Sequence, residues 1–263
     1  MTAGANRQPT RPRRAHDDAV PAPARPGSGD PDRWTRLSAA AAGERGAQPR
    51  RICQLCVQTL GVTGAGISLV TDTGNRGVVC ATGDVSGRIE DLQFTLGEGP
   101  CIDAVRAGAP ALVADLDEPH DTVVERWPTF LEGAGTAGAR AVFAFPLRIG
   151  AITLGALDLY RDRPGELDGG QLAAALLAAD AAAIALLHLD AGRDEAFADD
   201  LDAGRTYHLQ VHQATGMVQS QLDVQTDEAL LMLRSRAFAT DRPLAAVATD
   251  VVERRLRFAP EDQ

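Results

Sequence analysis

The sequence predicts an α+β protein, in which an antiparallel sheet with covering helices is followed by a small bundle of three helices. Three observations predict this fold class. Short segments rich in β-branched residues, two of them arranged as a hairpin, indicate the sheet. An alanine-rich segment then indicates a helix that closes the sheet, and three short amphipathic segments near the C-terminus indicate the bundle.

The predicted strands are bounded by Gly and Asp. Residues 66–70 and 77–81 are short and β-branched, whereas residues 142–149 alternate large apolar side chains with smaller or polar ones. A Gly-Ala pair then turns the chain into residues 152–160, which we predict to be the antiparallel partner of the preceding strand.

Helices are predicted on both sides of these strands. One begins near Trp34 and a second covers residues 51–60, while the stretch between the two pairs of strands is predicted to be irregular. The closing helix spans residues 171–189, and Asp180 within it favours a helix of a soluble protein over a membrane span. Its predicted apolar seam contains Leu172, Leu176, Ala179, Ala183 and Leu186, widened by Leu177, Ile184 and Leu187. This helix either covers only its own sheet or also pairs with a second subunit, and the sequence leaves both interpretations open.

The three C-terminal helices are predicted from separate apolar faces. Thr226 is expected to cap the second helix, with acidic residues in its first turn, and Pro243 to lie in the first turn of the third. The predicted core faces are Val211, Ala214, Val218 and Leu222, then Leu230, Leu233 and Ala237, and finally Leu244, Val247, Val251 and Leu256.

These segments divide the chain into five parts. Residues 1–33 are predicted to be a disordered tail, because their composition includes almost no large apolar side chain. Residues 34–190 form the larger domain, residues 191–204 an acidic linker or helical spacer, residues 205–258 the three-helix domain, and residues 259–263 a tail.

The charge is distributed unevenly along the chain. Residues 1–50 carry a net charge of +4, residues 51–204 carry −13 and residues 205–258 carry +1, and every basic residue is Arg. Because phosphate binding draws on positive potential, contact with nucleic acid is expected in the last of these segments. Four Cys without a secretion signal argue against a disulfide scaffold, and we expect a cytoplasmic protein.

The segment Val211-His212-Gln213-Ala214-Thr215-Gly216-Met217, with the later Ala and Leu positions through residue 248, resembles the ANTAR family. That resemblance implies a dimeric module that binds two adjacent RNA hairpins in nascent transcripts and so prevents a terminator from forming. The family often has Lys at the position of Thr215. This departure removes one phosphate contact that the family would otherwise supply.

Residues of about 35 to 190 resemble a GAF domain of the kind that is fused to ANTAR modules. The motifs are Leu96-Gly97-Glu98-Gly99-Pro100-Cys101, Phe145-Pro146-Leu147 and Gly155-Ala156-Leu157-Asp158-Leu159-Tyr160. The resemblance implies a GAF-like antiparallel sheet and a cleft for an unknown small-molecule effector.

Six residues of the ANTAR-like segment are candidate RNA-binding residues. Gly216 within a helix costs about 1 kcal/mol relative to Ala, so either close helix packing, which we favour, or close approach of an RNA backbone should compensate. The arginines are candidates because guanidinium groups bind phosphates and stack on unpaired bases. The six are Gln213, Thr215, Gly216, Arg234, Arg236 and Arg242.

The candidate ligand-pocket residues of the GAF-like domain are Phe94, Cys101, Trp127, Phe130 and Phe145. No metal site or cofactor is predicted, since Cys53 and Cys56 lack a second pair of ligands. Cys101 lies in a Gly-x-Gly-x-Cys motif that also occurs in GAF-fold reductases of free methionine sulfoxide, but residues 102–145 contain no resolving Cys.

The sequence therefore predicts an RNA-binding transcription antitermination regulator with a GAF-like sensor, in a homodimeric assembly that does not involve a membrane. An enzyme is not expected, because no Gly-rich phosphate loop, nucleophile elbow or metal-protease signature occurs in the sequence. Two alternatives stay open. One is a DNA-binding transcriptional regulator, because three short helices also present recognition helices; the other is the methionine sulfoxide reductase.

Overall fold

The computed structural model describes residues 48–71, 74–191, 202–240 and 242–259. The predicted N-terminal tail, the helix near Trp34 and most of the predicted linker lie outside the described residues. The helices are α1 (Pro49–Leu60), α2 (Asp84–Leu96), α3 (Pro100–Ala107), α4 (Asp121–Arg126), α5 (Pro128–Ala137), α6 (Gly169–Ala191), α7 (Asp202–Leu222), α8 (Thr226–Ala239) and α9 (Leu244–Val252). The strands are β1 (Gly64–Thr71), β2 (Gly74–Ala81), β3 (Ala111–Val113), β4 (Ala141–Ile149) and β5 (Ile152–Arg161).

The strands form one antiparallel sheet in the order β2-β1-β5-β4-β3. This result confirms the predicted antiparallel sheet and the hairpin between β4 and β5. Gly150 turns that hairpin with φ +61°, a left-handed conformation that glycine adopts without strain. Strand β3 was not predicted, because three residues are too few to give a periodic signal.

The region between the two pairs of strands is helical, so the predicted irregular middle is wrong. Helices α2 to α5 and the short strand β3 occupy it, although glycines within α2 and α5 lower the intrinsic helix propensity of these two helices. Tertiary packing compensates, as at Gly133 of α5, where a Cβ atom would lie 2.8 Å from a methyl group of Leu92 in α2. The glycine lets the two helices approach closely.

The sheet has a hydrophobic layer on each face. Phe143 and Phe145 of β4 pack with helices α1 and α6, whereas Val142 packs on the opposite side with Trp127 and Phe130. This arrangement follows from the alternation of side chains along a strand.

Helix α6 buries mainly alanine side chains, among them the predicted Ala179 and Ala183. The side chains that it packs on the sheet and α1 are chiefly alanines between residues 174 and 185, together with Leu186. Leu176, Ile184 and Leu187 are instead 38–47% exposed, so the predicted seam is wrong at these three positions. Alanines form the buried face because the helix lies close to its neighbours.

The composition of α6 also resembles that of a membrane span. Among the described helices, its segment Gly169–Leu187 has the length and hydropathy to cross a membrane, and half of that segment is buried within the protein. A core helix of a soluble protein has the same composition, and the burial of its alanines in the sheet layer accounts for it here.

Helices α7, α8 and α9 pack around a second core, which contains all of the apolar residues predicted for their inner faces except Leu256. Leu256 lies beyond the end of α9 and packs against this core from outside. The predicted cap is wrong, since Gln225 holds the N-cap position of α8 and Thr226 is its first residue. Pro243 likewise precedes the first residue of α9.

Candidate functional site

The C-terminal half of helix α2 faces both the sheet and the bundle. Gln93 and Phe94 lie three and four residues after Glu90, so both are neighbours of Glu90 on the surface of the helix. Glu90 and Gln93 are buried against the sheet, whereas Phe94 is buried in the core of the bundle. This helix therefore links the two parts of the chain.

A buried polar network joins α2 to the sheet. The Ser68 hydroxyl donates a hydrogen bond to Glu90 Oε2. Gln93 Nε2 donates to Asp158 Oδ2 over 2.9 Å, and Gln93 Oε1 accepts from the backbone N–H of Cys101 over 2.7 Å. The network connects strands β1 and β5 with helices α2 and α3.

The surroundings of the two carboxyl groups in this network raise the pKa of each. Burial raises the pKa of Glu90 well above its usual range, and the nearby carboxylate of Asp158 raises it further. Burial also raises the pKa of Asp158, to about 6, although hydrogen bonds from Glu90 and Gln93 oppose this rise. At neutral pH Glu90 therefore stays protonated while Asp158 is largely ionised, so two negative charges are not buried side by side.

The position of Gly66 shows how tightly the network is enclosed. A Cβ atom at Gly66 would lie 2.2 Å from Glu90 Oε1. Glycine at this position of β1 therefore makes room for the Glu90 carboxyl group.

The joint between α2 and the bundle consists of Phe94, Gly97 and Arg234. The Phe94 ring meets the His212 ring edge-on, with 5.9 Å between centroids, and Arg234 Nη2 donates a hydrogen bond to the Phe94 carbonyl. Gly97 ends α2 with φ +70°, and a Cβ atom there would lie 2.5 Å from Arg234 Nη1. Glycine suits this helix end because it adopts the left-handed conformation without strain and leaves space for the guanidinium group.

A cleft of about 880 Å³ opens beside this joint. Its sheet-domain side comes from the end of α2, Glu98 and Thr129, and its bundle side comes from the second half of α8 and the residues that precede α9. Phe238 projects at this cleft with 84% of its surface exposed. The complete lining is Thr95, Leu96, Glu98, Thr129, Arg234, Ser235, Ala237, Phe238, Arg242 and Pro243.

The candidate RNA-binding residues on α7 differ in exposure. Gln213 and Gly216 are exposed, whereas Thr215 is buried and its hydroxyl donates to the Val211 carbonyl over 2.7 Å. A Cβ atom at Gly216 would meet nothing within 4 Å, so the favoured interpretation, that helix packing explains this glycine, is wrong for the described chain.

The three candidate arginines all make contacts within the chain. Arg234 is half-buried at the joint, and Arg236 lies over the Phe258 ring at 5.4 Å from its centroid. Arg242 Nη2 pairs with Asp250 Oδ2 at 2.6 Å and stays exposed. Arg234 and Arg242 both line the cleft, whereas Arg236 does not lie among its lining residues.

The five candidate pocket residues do not come together. All are buried, yet only Trp127 and Phe130 pack with each other, edge-on at 6.1 Å between centroids. Phe94 lies in the bundle core, Cys101 packs with Val70 and Ala156, and Phe145 lies on the opposite face of the sheet. A single pocket lined by these five side chains is therefore not formed.

The four cysteines are free and buried. Cys53 and Cys80 lie with their sulfur atoms 3.2 Å apart in the layer beneath α1, in a different cluster from Cys101. Burial raises the pKa of the Cys101 thiol well above its usual value, and the carboxyl groups of Asp158 and Glu90 raise it further. These conditions oppose the thiolate that a reductase needs. Among the described residues, no group of three His, Cys, Asp or Glu side chains is arranged to hold a metal ion.

Sequence reasoning missed Glu90, Gln93 and Ser68 and treated Asp158 only as part of a motif. Asp158 carried a usable signal, because it lies between Leu157 and Leu159 in a strand that is otherwise apolar. Glu90 carried a weaker one, as an acid beside Ile89 in a helix that was itself not predicted. Phe238 was missed because an exposed aromatic residue cannot be distinguished from a core residue by its position in sequence.

Comparison with known proteins identifies the larger domain. The family model described as GAF domain matches residues 50–187. The structure is similar to the GAF domain of a phosphoenolpyruvate-protein phosphotransferase from Acinetobacter, with 10% identity, a TM-score of 0.47, and coverage of 61% of this chain and 94% of that one. It is also similar to a domain of a sensor histidine kinase from Sinorhizobium meliloti, with 20% identity, a TM-score of 0.40, and coverage of 54% and 90%.

A third similar structure is a free methionine-R-sulfoxide reductase from Thermoplasma acidophilum, with 16% identity, a TM-score of 0.42, and coverage of 58% of this chain and 95% of that one. No curated protein matches the chain. The antiparallel sheet, its covering helices and the family match over residues 50–187 agree, and the chain belongs to the GAF domain family.

Proposed function

We propose that this protein is an RNA-binding regulator of transcription antitermination, in which the GAF domain senses a small molecule and the helical bundle binds paired RNA hairpins. The proposal draws on the resemblance of residues 205–258 to ANTAR modules, which act on nascent transcripts. In this proposal the protein is a regulator and not an enzyme.

The observation that carries the proposal is the open surface of α7 at Gly216. A glycine in the interior of a helix destabilises it by about 1 kcal/mol relative to alanine. No neighbour in the described chain approaches closely enough to require the missing side chain. A backbone surface without a Cβ atom, next to the exposed Gln213, suits close approach of a second molecule such as an RNA strand.

Electrostatic attraction alone would give the bundle only weak affinity for RNA, because residues 205–258 carry a net charge of only +1. Recognition of unpaired loop bases and the joint action of two bundles in a dimer would supply the remaining affinity. The exposed side chains of Leu176, Ile184 and Leu187 on α6 offer apolar contacts for pairing with a second copy, although the exposed Asp180 lies between Leu176 and Ile184 on the same face.

Helix α2 supplies a route from the sensor to the bundle. The polar network holds Glu90 and Gln93, and the joint holds Phe94 of the same helix. A ligand whose affinity differs between two positions of α2 relative to the sheet would favour one of them. It would thereby change the contacts between α2 and the bundle.

Fluorescence anisotropy with the full chain tests the proposal. The substrates are an RNA with two adjacent hairpins, the same RNA with one hairpin unpaired, a random single strand of equal length, and duplex DNA. Preference for the twin hairpin is expected. Equal affinity for the random strand would overturn the proposal, and preference for the duplex would favour the DNA-binding alternative.

A transcription assay with purified RNA polymerase provides an independent measurement. A template that carries the twin hairpin before a terminator should show more readthrough in the presence of the protein. The matched template has one hairpin scrambled, and its readthrough should not respond.

A further inference from the structure

The cleft between α2 and α8 has the dimensions of a ligand site. Its volume of about 880 Å³ falls in the range of about 300–1,000 Å³ that is usual for small-molecule sites. It is separate from the buried network, because Glu90, Gln93 and Asp158 are absent from its lining.

An aromatic ring lies open at this cleft. Phe238 is 84% exposed, although it is next to Ala237, whose side chain is buried in the bundle core. An exposed phenylalanine ring offers a face on which a nucleobase stacks, and any base is accepted because every base has a π-face.

Two guanidinium groups line the same cleft. Arg242 and Arg255 share the carboxylate of Asp250, so Arg242 holds only part of a counter-charge. Arg234 lies at the inner side, at the joint with Phe94.

The one carboxylate in the lining, Glu98, is directed at a helix start. Its Oε1 accepts the backbone N–H groups of Thr129 and Phe130 over 2.9 and 2.8 Å, where it complements the positive end of α5. Glu98 therefore repels an anionic ligand less than a carboxylate without hydrogen bonds would.

We propose that this cleft binds a nucleotide, with the base against Phe238 and the phosphate beside Arg242 and Arg234. The same chemistry is offered by a free mononucleotide and by an unpaired nucleotide of an RNA strand. The second source rests on the proposed function, whereas the first does not.

Isothermal titration calorimetry of the full chain tests the site. The probes are 5′-AMP, 5′-GMP, a 5′-phosphorylated tetranucleotide RNA, and ribose 5-phosphate, which carries the phosphate without a base. Phe238→Ala should lower the affinity for nucleotide about five- to a hundredfold, the range of a lost base stack. Arg242→Gln should also lower it, and the loss should shrink at high salt.

Leu231→Ala provides the matched control. Leu231 is a large apolar residue on the same helix, 59% exposed and outside the lining of the cleft. Its replacement should leave nucleotide affinity unchanged, and thermal unfolding should show that all three variants fold.

The probes distinguish the sources. Binding of mononucleotides assigns the cleft to a free nucleotide, while binding of the tetranucleotide alone assigns it to an RNA strand. No binding of either, binding of ribose 5-phosphate with equal affinity, or equal affinity of Phe238→Ala and the unaltered chain would each overturn the proposal.

Twin-hairpin binding, measured separately, distinguishes this failure from failure of the proposed function. If hairpins bind with the same affinity to Phe238→Ala and no nucleotide binds, the cleft site is wrong and the function stands. If mononucleotides bind through Phe238 and hairpins do not bind, the function is wrong and the site stands.

Discussion

Arg234 of the bundle donates a hydrogen bond to the backbone carbonyl of Phe94, whose ring lies in the core of the same bundle. The contact joins a helix of the GAF domain to the C-terminal helices by both a polar and an apolar interaction. Phe94 also follows Gln93, which belongs to the buried network. The joint is therefore adjacent to the polar interior of the sensor domain.

Gly97→Ala is expected to loosen this joint. The added Cβ atom would lie 2.5 Å from Arg234 Nη1, so the flexible guanidinium group must move and lose its bond to the Phe94 carbonyl. Alanine in the left-handed region also costs about 1–2 kcal/mol. Hydrogen exchange followed by mass spectrometry should show lower protection of α8 in the variant.

Gly108→Ala is the matched control for this prediction. Gly108 also ends a helix, with φ +62°, and a Cβ atom there would be 3.7 Å from its nearest neighbour, an ordinary contact. Both variants should lose thermal stability through the backbone, but only Gly97→Ala should expose α8. Equal protection of α8 in both would show that Arg234 does not hold the joint.

The elements around the joint and the buried network differ in how well the sequence predicts them. Four of the five strands follow from segments whose alternation or β-branched content is strong, but their order in the sheet does not. The core faces of the bundle follow from helical spacing. Helices α3 and α4 could not be predicted because they are only 8 and 6 residues long. Helices α2 and α5 contain glycines, which lower helix propensity, and the close contact between Gly133 and Leu92 depends on the fold.

The candidate site was less readable for a related reason. Arg234 and Arg242 were selected as cations, but their neighbours Phe94 and Asp250 depend on how the chain folds back. Glu90 and Asp158 are 68 positions apart in sequence, and the packing of α2 on the sheet brings their carboxyl groups together. Periodicity in the sequence predicts which face of a helix or strand is buried. It does not predict which residues of other elements contact that face.

Gly216→Ala should separate folding from RNA binding. Because the position is open, alanine should stabilise the helix by up to about 1 kcal/mol. If RNA approaches the helix backbone there, the added methyl group should lower affinity for the twin-hairpin RNA. Chemical denaturation and fluorescence anisotropy measure the two effects on the same protein.

Ser220→Ala is the comparison for Gly216→Ala. Ser220 is exposed one turn further along α7, and alanine raises helix propensity there as well. Its effect on affinity should be smaller than that of Gly216→Ala. A stabilised Gly216→Ala variant with unaltered RNA affinity would exclude this surface from RNA contact.

The four thiols are expected to react slowly in the native protein. Burial raises the pKa of Cys56 to about 12 from an ordinary value of 9.0, and burial likewise raises the pKa of Cys101. At pH 8 the thiolate fraction of Cys56 is then roughly a thousandfold lower than for an exposed thiol. Labelling with an aromatic disulfide reagent should be slow before denaturation and should reach all four cysteines after it.

The Cys101→Ser variant tests whether the Cys101 thiol is reactive, as catalysis by a reductase would require. If one thiol of the native protein reacts rapidly, and that reaction is lost in Cys101→Ser, the site is more accessible than the structure indicates. Turnover of free methionine sulfoxide that depends on Cys101 would then support the reductase alternative.

Asp158→Asn should alter the pH dependence of stability. The folded-state pKa of Asp158 is raised to about 6 from 3.8, so the native state binds this proton more tightly than the unfolded state does. The contribution of this proton to the unfolding free energy is complete below pH 4 and is lost as the pH rises through about 6. Because a tenfold change in proton affinity corresponds to about 1.4 kcal/mol, up to about 3 kcal/mol of the unfolding free energy is lost over this range.

Asparagine preserves the shape of the side chain, and its carbonyl oxygen can still accept the hydrogen bond from Gln93. The unfolding free energy of Asp158→Asn, measured by urea denaturation, should therefore rise relative to the unaltered chain between pH 4 and pH 6. Asp250→Asn is a control of opposite sign, because hydrogen bonds from Arg242 and Arg255 lower the pKa of Asp250. That carboxylate stabilises the fold above its unfolded pKa, and its contribution is lost as the pH falls. Parallel curves for Asp158→Asn and the unaltered chain across pH 4 to 6 would show that Asp158 does not titrate inside the network.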